Sequence, residues 1–362
     1  MKIVVLVGGG HAHLHSLSQF AKKPREDVQL VLISPAVHQY YSGMFSGFTE
    51  GVYGLDEIRI DLKQLAQKIG AAFYQDTICA IDANSRTLIG QHGETYPYDA
   101  VSFDIGSQTD SPEAIRNYIS PIKPNYHFPD QLIKFRKSAK PVIVGGGASG
   151  VELAFSTHAW RMRRHLSDAL LFSSGALLSA QGAAVSRKIE AVARKKALPF
   201  FTDVTIEDID ATSVTTSTGT SYPQSDVLWL TGPKSPSLFE QSGMPVDRSG
   251  FLAVHETLQS LRYPEVFGAG DCVSIDRYPD LAKNGVYAVR QGPVLWENLL
   301  KFLDRNPLSF FVPQKRYIAI LSTGGGEALL TYGNWSVHGK IPWKLKQYID
   351  KKFMKAYQAI YK

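Results

Sequence analysis

Apolar positions in this chain fall in short dense runs that close on glycine, each followed by a stretch whose apolar residues recur at helical spacing. Ile3 to Val7 is the first run, Gly8, Gly9 and Gly10 interrupt it, and Leu14, Leu17, Phe20 and Ala21 follow at helical intervals. Short unbroken apolar runs suit strands buried on both faces, so the pattern predicts strand, tight glycine turn and helix. Val28 to Ile33 reads as the next strand, ending at Ser34 and Pro35. Ala71 to Ala80 and Thr87 to Tyr98 read as short strands, and Tyr98 to Ser107 as an apolar strand closing on Gly106. Pro112, Pro121, Pro124 and Pro129 then mark a linker. The same grammar restarts with the strand Pro141 to Val144, the glycines Gly145, Gly147 and Gly150, and a helix over Val151 to Trp160. Strands at Ala169 to Phe172 and at Asp226 to Gly232 follow. The run from Phe251 ends in a small-Gly-Asp turn at Ala269, Gly270 and Asp271.

A glycine-rich turn between strand and helix brings backbone amides to a helix N-terminus, where they favour phosphate. Gly145, Gly147 and Gly150 give the full G-x-G-x-x-G spacing. In the first unit Gly8 permits the turn and Gly10 lets a pyrophosphate approach, with His11 opening the helix. The third position there is His13, which denies the close helix-to-strand contact that glycine allows. Two such units, with Gly8 and Gly145 separated by 137 positions, predict two dinucleotide folds in tandem. The strand ends that would hold an adenosine ribose carry Ser34 in the first unit and Ser173 and Ser174 in the second. Neither is acidic, so the choice between NADH and NADPH stays open. The loop His38 to Gly51 is rich in aromatics and glycine, which suits a cover over a flat ring or an ordinary surface loop.

At 362 residues and 44% hydrophobic content the chain can bury two cores. Cys79 and Cys272 are its only cysteines, too few for a secreted disulfide scaffold, so a reducing compartment, the cytoplasm, is expected. The short N-terminal apolar run is needed as a strand and does not read as a signal peptide. No apolar run is long enough to span a membrane. His11, His13 and His15 lack a further ligand at suitable spacing, and no metal is expected.

Together, the two glycine turns, the strand-terminal Gly106 and Gly232 and the Gly270-Asp271 pair resemble the two-dinucleotide-domain flavoproteins of the pyridine nucleotide-disulfide oxidoreductase superfamily. The resemblance implies an α/β fold with two Rossmann-like domains, FAD on the first bend and NADH or NADPH on the second. It implies an FAD-binding domain from 1–112 and 250–308, a nicotinamide-binding domain over 113–249, and a C-terminal hairpin and helix over 309–362. Asp271 would hydrogen-bond the ribityl and pyrophosphate part of FAD, and Glu152 in GVELA would lie near the nicotinamide and flavin. Ile78, Met44 and Ser34 join the implied cofactor-lining residues. Disulfide reductases in the superfamily need a cysteine pair beside the flavin. This chain has none, so it is more similar to the type II NADH dehydrogenases, which pass a hydride to FAD and then reduce quinone. Of their A-Q-x-A-x-Q helix only Gln291 matches, within Val286 to Gln291; Gln291, with Val286 and Tyr287, would meet the ring's pyrimidine edge. GGGHAHLH, YYSGMFSG, FDIGS and KNGVYAVRQGP also look like the flavoprotein module fused to selenide, water dikinase, which keeps a selenium or sulfur compound open as a rival substrate. A flavin-binding sensor without activity is the non-enzyme alternative.

Tyr317 to Leu321 and Leu329 to Tyr332 flank a glycine run and predict a hairpin. Beyond Pro342, Leu345, Ile349, Phe353, Tyr357 and Tyr361 recur every four residues, while Lys346, Lys351, Lys352 and Lys355 lie mostly off that stripe. Positions 341–362 hold six lysines and one acid, Asp350, which accounts for most of the whole-chain excess of +6. Such a helix docks on its own domain or on a second copy in a homodimer, or lies on an anionic membrane at the inner face of the cell. The basic residues form no recognisable nucleic-acid fold, so nucleic acid is not an expected partner.

Overall fold

The computed structural model describes residues 1–362. Its first parallel sheet has five strands in the order Val266–Gly268, Ala100–Phe103, Lys2–Val7, Val28–Ser34 and Ala72–Gln75. The central strand Lys2–Val7 pairs on both sides, Val4 opposite Leu30 and Ala100, and its buried apolar run matches that position. A second parallel sheet runs Ser120–Pro121, Asp226–Trp229, Pro141–Val144, Leu170–Phe172 and Phe200–Phe201. Three three-stranded antiparallel sheets accompany them, Ile78–Asp82 with Thr87–Gly90 and Thr95–Pro97, a counterpart at Ile206–Pro223, and one near the C-terminus. The chain is thus a doubly repeated α/β fold in which each parallel sheet carries its own glycine turn.

The proline-punctuated stretch is not a linker. It holds a turn of 3-10 helix over Glu113–Tyr118, an edge strand at Ser120–Pro121 and a helix over Phe128–Phe135, with Ile115, Phe128, Leu132 and Phe135 buried. Pro121 lies on the sheet edge, where its missing N–H is not required, and Pro129 lies in the first turn of its helix, where that donor would have no partner. The aromatic segment after His38 is likewise ordered. It forms a short strand His38–Tyr40, a 3-10 turn Ser42–Met44 and a buried helix Phe45–Glu50.

The expected hairpin gains a third strand, Trp335–Gly339, which pairs with Ala328–Tyr332 and leads into the helix Lys340–Gln358. That helix buries Trp343, Lys346, Asp350, Met354 and Tyr357 and leaves Ile341, Leu345, Tyr348 and Ile349 exposed. The predicted stripe therefore docks only in its C-terminal half: Leu345 and Ile349 are exposed, whereas Phe353, Tyr357 and Tyr361 pack on the core. A four-residue step advances 400° around a 3.6-residue helix, so the stripe drifts from solvent at Leu345 to the interior at Tyr357. No helix of the structure is long and apolar enough to cross a membrane.

Candidate active site

Parallel pairing of Lys2–Val7, Ala100–Phe103 and Val266–Gly268 brings the three strand ends to one edge of the first sheet. The helix His11–Lys22 begins there at Gly10, just after Gly8 with φ +91°. Asp104, the residue after Ala100–Phe103, turns its buried carboxylate onto that helix end. Its Oδ2 accepts from the amides of Ala12 at 2.8 Å and His13 at 3.3 Å. Burial pushes this carboxyl up to about 7, against the pull of those two amides. Gly270 adjoins the same carboxyl, so the first bend and the Gly270-Asp271 turn do converge.

His13 resolves the missing third glycine in another way. Its Nδ1 lies 2.6 Å from the Gly8 carbonyl and its Nε2 lies 2.8 Å from Ser102 Oγ. A carbonyl only accepts, so Nδ1 carries the proton and Nε2 is free to accept from the serine. Burial lowers this ring to about 4, offset in part by the Gly8 bond, and it is neutral at physiological pH. The close approach that glycine permits occurs instead at Gly292. A Cβ there would stand 2.8 Å from His15 Cβ and 3.3 Å from Ala12 Cα, where the helix Gly285–Leu303 packs on the first helix.

Lys123 Nζ, from the segment read as linker, donates to Asp271 Oδ2 at 2.7 Å and to Ser107 Oγ at 2.5 Å. Gly106, beside Ser107, faces open space. Gln291 is buried, and its Oε1 accepts from the Gly270 amide at 2.6 Å. Gln291, expected at the flavin's pyrimidine edge, thereby also braces the Gly270-Asp271 turn. The amides of Val286 and Tyr287 donate to Asn284 Oδ1, which caps their helix. Ser34 closes its own turn by donating to the Ala36 carbonyl, and Ser173 does the same to Gly175. Ile78 pairs with Gly90 in a small antiparallel sheet, and Met44 is buried. His11 is half-buried beside Tyr41 and Phe353, which stack at 4.3 Å, and desolvation lowers its pKa while Asp271 opposes the shift.

At the second bend a Cβ on Gly150 would fall 1.9 Å from the Gly145 carbonyl oxygen, so helix and strand touch as the fingerprint requires. No side chain caps the helix Ala148–Met162, and Gly147 and Gly232 both face open space. Uncapped amides at a helix N-terminus beside open glycines fit the phosphates of a nucleotide. At the first bend the helix-end amides already serve Asp104, and the room that fits a dinucleotide lies at Gly106, whose neighbour Ser107 shares Lys123 with Asp271.

The helix that follows the second bend contributes Glu152 to a largely buried ionic cluster. Glu152 Oε1 accepts from the Ser322 amide at 2.7 Å and from Ser46 Oγ at 3.2 Å, and lies 3.9 Å from Lys346 Nζ. Lys346 also donates to the Gly43 carbonyl at 2.6 Å and pairs with Asp350 at 3.3 Å. Burial raises the pKa of Glu152, with the Lys346 charge opposing it, and raises Asp350 to about 6. Burial alone would lower Lys346, but the carboxylates of Glu152 and Asp350 outweigh it and hold the ammonium charged. Lys346 lies off the predicted apolar stripe, yet it is buried while Lys351, Lys352 and Lys355 are exposed. Asp104, Lys123, Ser46 and Asp350 escape a reading of motifs because each reaches the site from a distant segment. Asp104 stands in FDIGS, so a buried acid beside a strand-terminal glycine was the available signal. Cys79 is exposed and Cys272 is buried with its thiol near the Phe103 and Ala269 carbonyls; both are free.

The family described as pyridine nucleotide-disulphide oxidoreductase matches residues 2–292. A mitochondrial sulfide:quinone oxidoreductase of Dictyostelium discoideum is 22% identical over 84% of this chain and 72% of its own length. An NADH dehydrogenase-like protein of Mycobacterium tuberculosis is 25% identical over 77% of this chain and 74% of its own. The structure of NDH2 from Plasmodium falciparum superposes with a TM-score of 0.81 at 13% identity, covering 99% of this chain and 97% of that one.

Proposed function

The chain belongs to the pyridine nucleotide-disulphide oxidoreductase family, and from that premise we propose that it is an NAD(P)H:acceptor oxidoreductase that reduces a quinone without a redox disulfide. As a member it is an FAD-dependent enzyme that uses a nicotinamide nucleotide. Bound FAD supplies the hydride acceptance and onward electron transfer. The protein's part is to hold the two nucleotides, keep water out and manage charge. Gly145, Gly147, Gly150 and Gly232 would hold the nicotinamide nucleotide. Gly8, Gly10, Gly106, Gly270 and Asp271 would hold FAD, with Gln291 fixing the turn and Lys123 neutralising the aspartate. Residues 1–112 and 250–308 form the flavin unit in this reading, and 113–249 the nicotinamide unit.

One observation carries the choice of acceptor. Two free cysteines, one buried near carbonyl groups and one exposed on a peripheral sheet, offer no dithiol to relay electrons. Electrons must then leave the flavin directly, which suits a quinone and disfavours a sulfur substrate that needs a thiol relay. Anaerobic stopped-flow spectroscopy tests this. Rapid bleaching by NADH or NADPH followed by reoxidation with a short-chain quinone supports the reading. Bleaching with no reoxidation by quinone excludes the acceptor, and no bleaching at all excludes the donor. The exposed residues Ile341, Leu345, Tyr348 and Ile349, flanked by Lys344, Lys351 and Lys352, favour attachment to an anionic membrane where such an acceptor dissolves.

A further inference from the structure

We propose that Asp104 governs how tightly the first glycine bend holds its dinucleotide, by taking up one proton when the cofactor binds. The inference rests on the assignment of FAD to that bend. It begins with what already occupies the helix end. The amides of Ala12 and His13, which a pyrophosphate would be expected to use, donate to Asp104 Oδ2. The carboxyl is packed so closely beneath the bend that a Cβ on Gly10 would fall 2.1 Å from its Cγ, and a Cβ on Gly270 2.4 Å from its Oδ1. Both glycines are therefore required by a protein carboxylate, whatever else they admit.

A dinucleotide adds a pyrophosphate, and with it further negative charge, at a helix terminus that already holds a buried anion. Like charges in a site of low dielectric cannot both stay ionised cheaply. The surrounding groups do not relieve the conflict. Asp271, the next acid, adds to it, and its charge already engages Lys123. On the first helix, His11 is half-buried and His13 buried, and both are shifted toward the neutral form. Cys272, on the adjoining turn, has its thiol pushed up to about 12 and stays protonated, while the Lys283 ammonium is bonded to the Val273 carbonyl. Gln291, on the long helix, is neutral and bonded to Gly270. Protonating Asp104 is the remaining relief, and burial already brings that carboxyl up to about 7. The neutral acid keeps Oδ2 as acceptor for the two amides. Its Oδ1, which accepts no hydrogen bond within the protein, then carries a proton taken from solvent and becomes a donor to an anionic oxygen.

The test is FAD affinity against pH, read by flavin fluorescence on release from the purified holoprotein between pH 6.5 and 8.5. Calorimetry of FAD binding in buffers of different ionisation enthalpy counts the protons. The dissociation constant should be level below about pH 7 and weaken above it, approaching about tenfold per pH unit, with uptake approaching one proton. Asp104→Asn keeps an acceptor for the two amides and should bind with a flat profile. A level wild-type profile with no proton uptake, or an unchanged slope in D104N, overturns the proposal. Should D104N fail to fold, the wild-type proton count still decides. A protein that takes up no FAD at any pH overturns the flavin assignment itself, an outcome distinct from FAD binding without a proton.

Discussion

Lys346 ties the last helix to the Gly43 carbonyl and to Glu152. It is buried between two acids, and removing one partner of such a cluster leaves uncompensated charge in the interior. Lys346→Met should lower stability by about 3–5 kcal/mol in chemical denaturation, and adding Glu152→Gln should recover part of that loss in a double-mutant cycle. His13 supplies a pH dependence of defined sign. Its folded pKa, about 4, lies below the unfolded value of 6.5, so the unfolded chain binds more protons between those values. This contribution to stability is complete above pH 6.5 and is lost as pH falls toward 4, by about 3 kcal/mol. His13→Asn, which keeps a donor for the Gly8 carbonyl, should flatten that part of the acid unfolding curve. Its difference from wild type therefore shrinks toward pH 4. The presence of a histidine at the third fingerprint position was legible from the chain. Its two hydrogen bonds were not, because Ser102 lies 89 positions away.

At the scale of elements, spacing predicted most strands of the two parallel sheets and both glycine turns, since a buried parallel strand needs an unbroken apolar run and the turn after it needs glycine. The docking face of the last helix was legible only in its C-terminal half, because four-residue recurrence does not close on itself in an α-helix. The proline-rich stretch misled for a related reason: proline excludes interior positions but is welcome at edges and first turns, which is where Pro121 and Pro129 lie. The packing of the long helix on the first is similarly invisible until the structure places Gly292 against Ala12 and His15. Gly292→Ala should cost about 1–3 kcal/mol in thermal denaturation, since both neighbours are close to backbone and cannot swing aside. Asn284→Ala, which strips the cap from Val286 and Tyr287, should cost about 1 kcal/mol.

For the whole molecule, the exposed side of the last helix and its buried side can be tested apart. Leu345→Glu with Ile349→Glu alters only the outer face, so vesicle flotation on anionic lipid should fall while the melting temperature stays within a few degrees of wild type. Equal flotation would remove the helix from the account of attachment. The inner face joins distant parts of the chain. Lys346 reaches Gly43 and Glu152, Gln358 Nε2 donates to the Asp56 and Arg59 carbonyls, and Tyr361 Oη accepts from the Asp61 amide. Gly43 and Asp61 lie between two neighbouring strands of the first parallel sheet, Val28–Ser34 and Ala72–Gln75, whereas Glu152 rides on the helix that follows the glycine turn of the second. A buckle fastened to both lobes leaves them little freedom to swing apart. Any large hinge motion would first have to pull a charged lysine out of its pocket, so nucleotides must come and go through side-chain and loop movements while the gap between the lobes stays nearly constant.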